Sequence, residues 1–286
     1  MMGTNTPANA FWGLPSSKAN FCEEDYVVTR YVAEFINSLT NLCYIIYAIY
    51  GLRQLQQKRN VEFSRAIPYW GLMAVGICSA AFHISLQYHT QMLDDLSMLF
   101  TTTPLVHRVL TVNADRKSSF VTGLFVYSAL ALLVTYHVTT DELILHASFF
   151  VGSIAVIGIR TMQLLKRRTV ENSATRRQFW GMIVFGAVIF HLGYLVWLVD
   201  GWVCEWLRTT RAAIGLPWAW LLELHGWWHI FTGIGAYIFI AVIDHLVSGE
   251  DQDIHGRFAW PASWASQSIF AGVGSTMIGA DDKTHK

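Results

Sequence analysis

Five side chains in this sequence could together perform metal-assisted hydrolysis: Ser79, His83, Asp94, His225 and His229. Ser79 and His83 are four residues apart, as are His225 and His229, so on helices each pair shares a face. Three imidazoles with one coordination position left open make a catalytic zinc site, and zinc takes neutral imidazole readily. The run His225-Gly226-Trp227-Trp228-His229 differs from the HExxH helix of zinc proteases, because Gly226 stands where the glutamate would be. A general base must then come from another helix, and Asp94 is the candidate. Taken singly, these residues have plainer explanations. A lone intramembrane histidine is more often packed or hydrogen-bonded, which is how His191 and His245 read. Ser79 alone would be a packing residue, and Asp95 a helix cap or local partner.

A second group precedes the first apolar run: Asn20-Phe21-Cys22-Glu23-Glu24-Asp25, with Glu34 nine residues beyond Asp25. Side-chain oxygens with a backbone carbonyl are what calcium prefers, although the order of residues is not that of an EF-hand. The competing reading is a helix N-terminus decorated with acids, which the helix dipole favours. Of the four cysteines, Cys22 and Cys204 fall on one predicted side of a membrane, where a disulfide can persist. Cys43 and Cys78 fall inside apolar runs and read as packing residues.

The elements that must position these groups are transmembrane helices. Of 286 residues, 53% are hydrophobic and only 14% charged, against roughly 25% charged in soluble domains. Seven apolar runs, at 31–52, 68–88, 92–112, 119–138, 143–164, 179–201 and 216–247, are each long enough to span, and in hydrocarbon a helix satisfies its own backbone. The predicted fold class is all-α, a seven-helix transmembrane bundle with an intramembrane zinc site. Lys+Arg and Asp+Glu are both 20, so no global positive field favours nucleic acid. The first residues, 1–18, lack the basic start and apolar run of a secretory signal, so the first helix is expected to direct its own insertion.

Arg53, Lys58, Arg59 and Arg65, then Arg108, Arg116 and Lys117, then Lys166, Arg167, Arg168, Arg176 and Arg177 occupy alternate loops. The opposite loops hold few basic residues, so these three are cytosolic, the N-terminus luminal and the C-terminus cytosolic. Trp197, Trp202, Trp206, Trp218, Trp220, Trp227 and Trp228 gather at the luminal ends of the last two runs, as interfacial belts do. That orientation puts Ser79, His83, Asp94, His225 and His229 in one layer of the luminal leaflet. The same runs divide the chain into a luminal N-terminal segment at 1–30 with the calcium-like group, a seven-helix catalytic domain at 31–247, and a cytosolic tail at 248–286, poorly ordered by composition.

Phe11-Trp12-Gly13, Phe21-Cys22-Glu23-Glu24-Asp25-Tyr26, Tyr31-Val32-Ala33-Glu34-Phe35, Ser79-Ala80-Ala81-Phe82-His83, Leu93-Asp94-Asp95-Leu96 and the His225–His229 run resemble, in order, the motifs of the alkaline ceramidases. The likeness runs from about residue 11 to about residue 245. The wider superfamily includes the adiponectin receptors, with a similar seven-helix body and three-histidine zinc. The resemblance implies cleavage of ceramides (ceramide, phytoceramide or dihydroceramide) to a sphingoid base and a fatty acid, in an endoplasmic reticulum or Golgi membrane. It implies zinc on His83, His225 and His229, with Ser79 and Asp94 catalytic. It implies calcium, structural or regulatory, on Asn20, Phe21 through its carbonyl, Glu23, Asp25 and Glu34. It implies a luminal disulfide between Cys22 and Cys204. Asn20 departs from the acidic residue expected there, which should weaken calcium binding.

The chemistry expected is attack of an activated water on the amide, with Asp94 moving the proton and Ser79 stabilising the oxyanion. The partners are the lipid substrate and the bilayer. A receptor of the adiponectin-receptor type and an intramembrane ion or proton transporter are the rivals. The first is disfavoured by the absence of a large N-terminal domain, the second by the absence of an inverted repeat.

Overall fold

The structure, a computed structural model, describes residues 10–58, 62–171, 173–249 and 258–267. Arg59, residues 1–9 of the expected N-terminal segment, and residues 250–257 and 268–286 of the expected tail lie outside the described residues. The described chain is built of helices: α1 (Phe35–Thr40), α2 (Leu42–Gln56), α3 (Phe63–Ser85), α4 (Tyr88–Thr111), α5 (Arg116–Thr140), α6 (Leu143–Arg168), α7 (Ala174–Trp202), α8 (Cys204–Ile214), α9 (Leu224–Ser248) and α10 (Ala262–Ala265). A 3-10 turn covers Trp218–Leu222. Among the described residues, one isolated bridge, Thr29 with Val32, is the sole strand-like pairing.

Six helical runs are long and apolar enough to cross a membrane: Phe35–Gln56, Phe63–Ser85, Arg116–Thr140, Leu143–Arg168, Ala174–Trp202 and Leu224–Ser248. The remaining expected span, 92–112, folds as α4, 24 residues long but more polar than those six. Thr90, Gln91, Ser97, Thr101, Thr102 and Thr103 are buried on it. Thr101 and Thr102 donate to the carbonyls of Ser97 and Met98 one turn earlier, at 2.8 and 3.0 Å, so their hydroxyls are satisfied within the helix.

Other boundaries differ from the apolar runs. Residues 31–34 are not helical, and the first run divides at Asn41 into α1 and α2. The last run is helical from Leu224, not from 216, because Pro217 lacks an N–H and the chain makes a 3-10 turn after it. The segment after α7, read as a loop, contains α8.

Local chemistry sets several ends. Asp115 accepts from Lys117 N, Glu142 from Ile144 N and Leu145 N, and Ser173 from Arg176 N, capping α5, α6 and α7. Leu86, in the left-handed region (φ 50°), and Gln87 alone separate α3 from α4. Ser79 on α3 and Asp94 on α4 are thereby brought together across one tight helical hairpin.

α9 is the central element: 72% of its apolar window is buried, against 11% for α5 and for α6. Tyr237, Ile238, Val242 and Ile243 fill the middle of the bundle. α7 approaches α9 so closely that a Cβ on Gly235 would lie 3.0 Å from the Gly186 carbonyl, the small-residue packing of membrane helices. Outward-facing Phe120, Phe125, Leu132 and Ile144 are more than two-thirds exposed, a surface suited to hydrocarbon. These features make the chain a multi-pass membrane protein. At the end opposite the histidines, Asp244 accepts from Arg65 at 2.9 and 2.7 Å and from Arg108 at 2.9 Å. Within the expected tail, Phe258, Ala262 and Ala265 are buried in the core, and Ala259 N donates to Tyr237 Oη at 2.9 Å.

Candidate metal centre

His83 comes from the last turns of α3, His225 and His229 from the first turns of α9, and all three are buried. Their ring centroids are 5.0, 4.9 and 4.6 Å apart. One ligand atom from each lies within 4.8 Å of the others, a grouping that could hold a metal ion. The donor chemistry fits: three imidazoles, with no fourth ligand grouped with them among the described residues, leave an open position. His83 Nε2 and His225 Nδ1 are buried with no hydrogen-bond partner, an expensive state for a polar atom unless something fills it.

Two of the rings are oriented by α1. His83 Nδ1 lies 2.5 Å from Glu34 Oε2. An ionised carboxylate can only accept, so with Glu34 charged Nδ1 carries the proton and the orphaned Nε2 carries the lone pair. His229 Nδ1 lies 3.0 Å from Thr40 Oγ1. Glu34 is fully buried and also accepts from Phe21 N at 3.2 Å and Asn37 Nδ2 at 3.1 Å.

One turn before His83, the Ser79 hydroxyl lies within reach of the Asp94 carboxylate on α4. Tyr44, whose ring is 6.3 Å from that of His229, reaches Thr232 Oγ1 at 2.5 Å. Thr232 gives its own proton to Trp228 O, so Tyr44 is the donor. Asp95 pairs with His137 Nε2 at 3.2 Å, and its carbonyl meets His146 Nε2 at 3.0 Å, a local structural role.

The N-terminal segment is pressed onto this layer. Phe21 stacks on His225 with centroids 3.6 Å apart. Cys22 is held at every atom that can be held. Its N–H donates to Asp200 at 3.1 Å, its carbonyl accepts from Arg208 at 2.9 Å and Arg211 at 2.6 Å, and its sulfur is bonded to Cys204. The Asp200 carboxylate also lies close to the backbone of His225.

Glu23 spends both carboxylate oxygens capping α1, accepting from Ile36 N at 2.7 Å and Asn37 N at 2.8 Å, a remote version of an N-cap. Asn20 donates to Asp25 Oδ2 at 3.3 Å, and Asp25 Oδ1 is buried without a partner. Burial, with Glu34 nearby, pushes Glu23 up to about 8 and Asp25 up to about 6. Glu23, Asp25 and Glu34 thus form an acidic group only partly offset by Arg208 and Arg211.

Several participants carry no signal in local spacing. Glu34 reads from sequence as one acid of the calcium-like group, but its reach to His83 spans 49 positions. Thr40 meets a histidine 189 positions away. Asp200 and Arg211 act on Cys22 from 178 and 189 positions away.

The model of the ceramidase family matches residues 13–270. The chain is 34% identical over 248 residues to alkaline ceramidase YPC1 of Saccharomyces cerevisiae, covering 82% of this chain and 78% of the yeast protein. It is 31% identical over 237 residues to alkaline ceramidase 3 of Mus musculus, covering 80% and 84%. An alkaline ceramidase of Arabidopsis thaliana matches at 24% identity over 230 residues, covering 80% and 83%. Sequence motifs, a buried histidine trio and these matches across most of the chain agree: the protein belongs to the alkaline ceramidase family.

Proposed function

We infer that the protein hydrolyses the amide bond of ceramides, releasing a sphingoid base and a fatty acid. The observation that carries this reading is the convergence of His83, His225 and His229 in one buried layer, with the Ser79–Asp94 pair one helical turn away.

We propose zinc as the metal of the trio. Zinc bound there would supply a water of pKa about 7 and a Lewis acid for the amide carbonyl. Asp94 accepts the proton of the attacking water and returns it to the amide nitrogen as the C–N bond breaks. Ser79 donates its hydroxyl to the oxyanion of the tetrahedral intermediate. Glu34 and Thr40 hold His83 and His229 in ligating orientation. Phe21 covers His225 and limits water on that side. The two lipid chains lie between helices and enter sideways from the luminal leaflet, as suits an apolar substrate with one polar centre.

In this reading α4 is the seventh span, its polar face turned to the site. The alternation of basic loops supports a luminal N-terminus, and the Cys22–Cys204 bond suits the oxidising lumen of the endoplasmic reticulum or Golgi. Residues 1–30 form the luminal segment, 31–247 the catalytic body and 248–286 the cytosolic end. Calcium on Asn20, the Phe21 carbonyl, Glu23, Asp25 and Glu34 would neutralise the acidic group beside the zinc layer and brace α1.

The test is purified full-length protein in detergent, given ceramide, with free fatty acid measured by mass spectrometry. Wild type should release it and His225→Ala should not. Wild-type protein that holds metal yet releases no fatty acid would instead favour a receptor of the adiponectin-receptor type.

A further inference from the structure

The Thr40 hydroxyl has one proton and three neighbours. It lies 2.9 Å from the Ile36 carbonyl, 3.2 Å from the Asn37 carbonyl and 3.0 Å from His229 Nδ1. Carbonyls can only accept, so the proton goes to the backbone, as Thr hydroxyls do within helices. The oxygen is then an acceptor toward His229, and Nδ1 must be the protonated ring nitrogen. The Asn41 amide, 3.5 Å from the same nitrogen, is at the outer limit of a hydrogen bond and does not compete.

The contact depends on Gly226. A Cβ at this position would lie 3.1 Å from Ile36 Cγ2 and 3.3 Å from Thr40 Cγ2. The glycine in the middle of the histidine run is what lets α1 lie close enough to α9 for Thr40 to reach His229.

We propose that Thr40 is a positioning residue that fixes His229 in the Nδ1–H tautomer, leaving Nε2 free to bind the metal, and that Gly226 is present to admit it. The inference rests on the trio being the metal centre. It makes α1, six residues long, the strut that sets two of the three ligands: Glu34 at its start holds His83 and Thr40 at its end holds His229. Partners of this kind, one step behind the ligands, typically contribute 10–100-fold in metal affinity.

The experiment is zinc competition against a chromophoric chelator, using the full chain in detergent as wild type, Thr40→Val and Thr40→Ser. Valine keeps the shape without the hydroxyl; serine keeps the hydroxyl. Thr40→Val should bind zinc roughly 10–100-fold more weakly, and Thr40→Ser should restore affinity to within about 3-fold of wild type. Equal affinity in wild type and Thr40→Val would overturn the proposal, as would a Thr40→Ser variant as weak as valine. Should Thr40→Val fail to fold, 15N spectra of the histidine rings in metal-free wild type decide: Nδ1–H on His229 supports the assignment and Nε2–H overturns it. Wild type that binds no zinc would sink the metal reading itself, a result distinct from a null effect at Thr40.

Discussion

Glu34→Gln replaces one oxygen by an amide and leaves the side chain's size almost unchanged, yet it should cripple the metal centre. All three groups around the Glu34 carboxylate are donors: Phe21 N–H, Asn37 Nδ2 and His83 Nδ1. A glutamine must point its NH2 at one side or the other. Turned toward Phe21, it faces a backbone N–H that cannot change character. Turned toward His83, it faces a ring that can accept only by moving its proton to Nε2, the nitrogen the metal needs. The first arrangement leaves donors opposed in a fully buried site, costing about 1–3 kcal/mol. A cost of about 2 kcal/mol is close to 30-fold in an equilibrium constant. The second sacrifices a ligand. Either way, zinc affinity should fall at least 10-fold, read by chelator competition in calcium-free buffer so that any calcium at Glu34 does not contribute. Zinc affinity within about 3-fold of wild type would refute the reasoning, because it would mean that Glu34 does not set the His83 tautomer.

Asp94→Asn should retain zinc and lose at least about 100-fold in the rate of fatty acid release, the scale of removing a general base; loss of zinc instead would make Asp94 structural. Asp244→Ala takes the shared carboxylate from two mostly buried guanidiniums, Arg65 and Arg108. It should cost about 3 kcal/mol of stability, seen as a lower thermal midpoint, with zinc content unchanged at the other end of the bundle. Calcium binding should strengthen as pH rises from about 6 to about 9. Burial raises Glu23 to about 8 and Asp25 to about 6, so below those values protons occupy the oxygens the ion would use. Titration calorimetry showing a pH-independent affinity would contradict it.

The long apolar runs named most of the helices, because a segment that must satisfy its backbone in hydrocarbon announces itself by composition alone. The histidine layer was equally legible: His225 and His229 share a face by spacing, and His83 reaches their depth once the helices alternate in direction. The break at Asn41 was not legible, since an apolar run says nothing about a turn that tertiary bonds impose. α8 escaped notice because its arginines read as loop charges, whereas Arg208 and Arg211 point inward onto the Cys22 carbonyl. Glu23 illustrates the general limit. Its acidity marks it as a candidate ligand, but nothing in its spacing shows that both its oxygens also accept from the N-terminus of a helix that begins 12 residues later. Helical periodicity identifies neighbours within one element and is silent about partners brought together by packing.

The most direct test of the metal centre is zinc content by inductively coupled plasma mass spectrometry on purified full-length protein, wild type beside His83→Ala. One zinc per chain in wild type and almost none in a folded His83→Ala protein is the predicted result. A full complement of zinc in His83→Ala, or none in wild-type protein that cleaves ceramide, would contradict it.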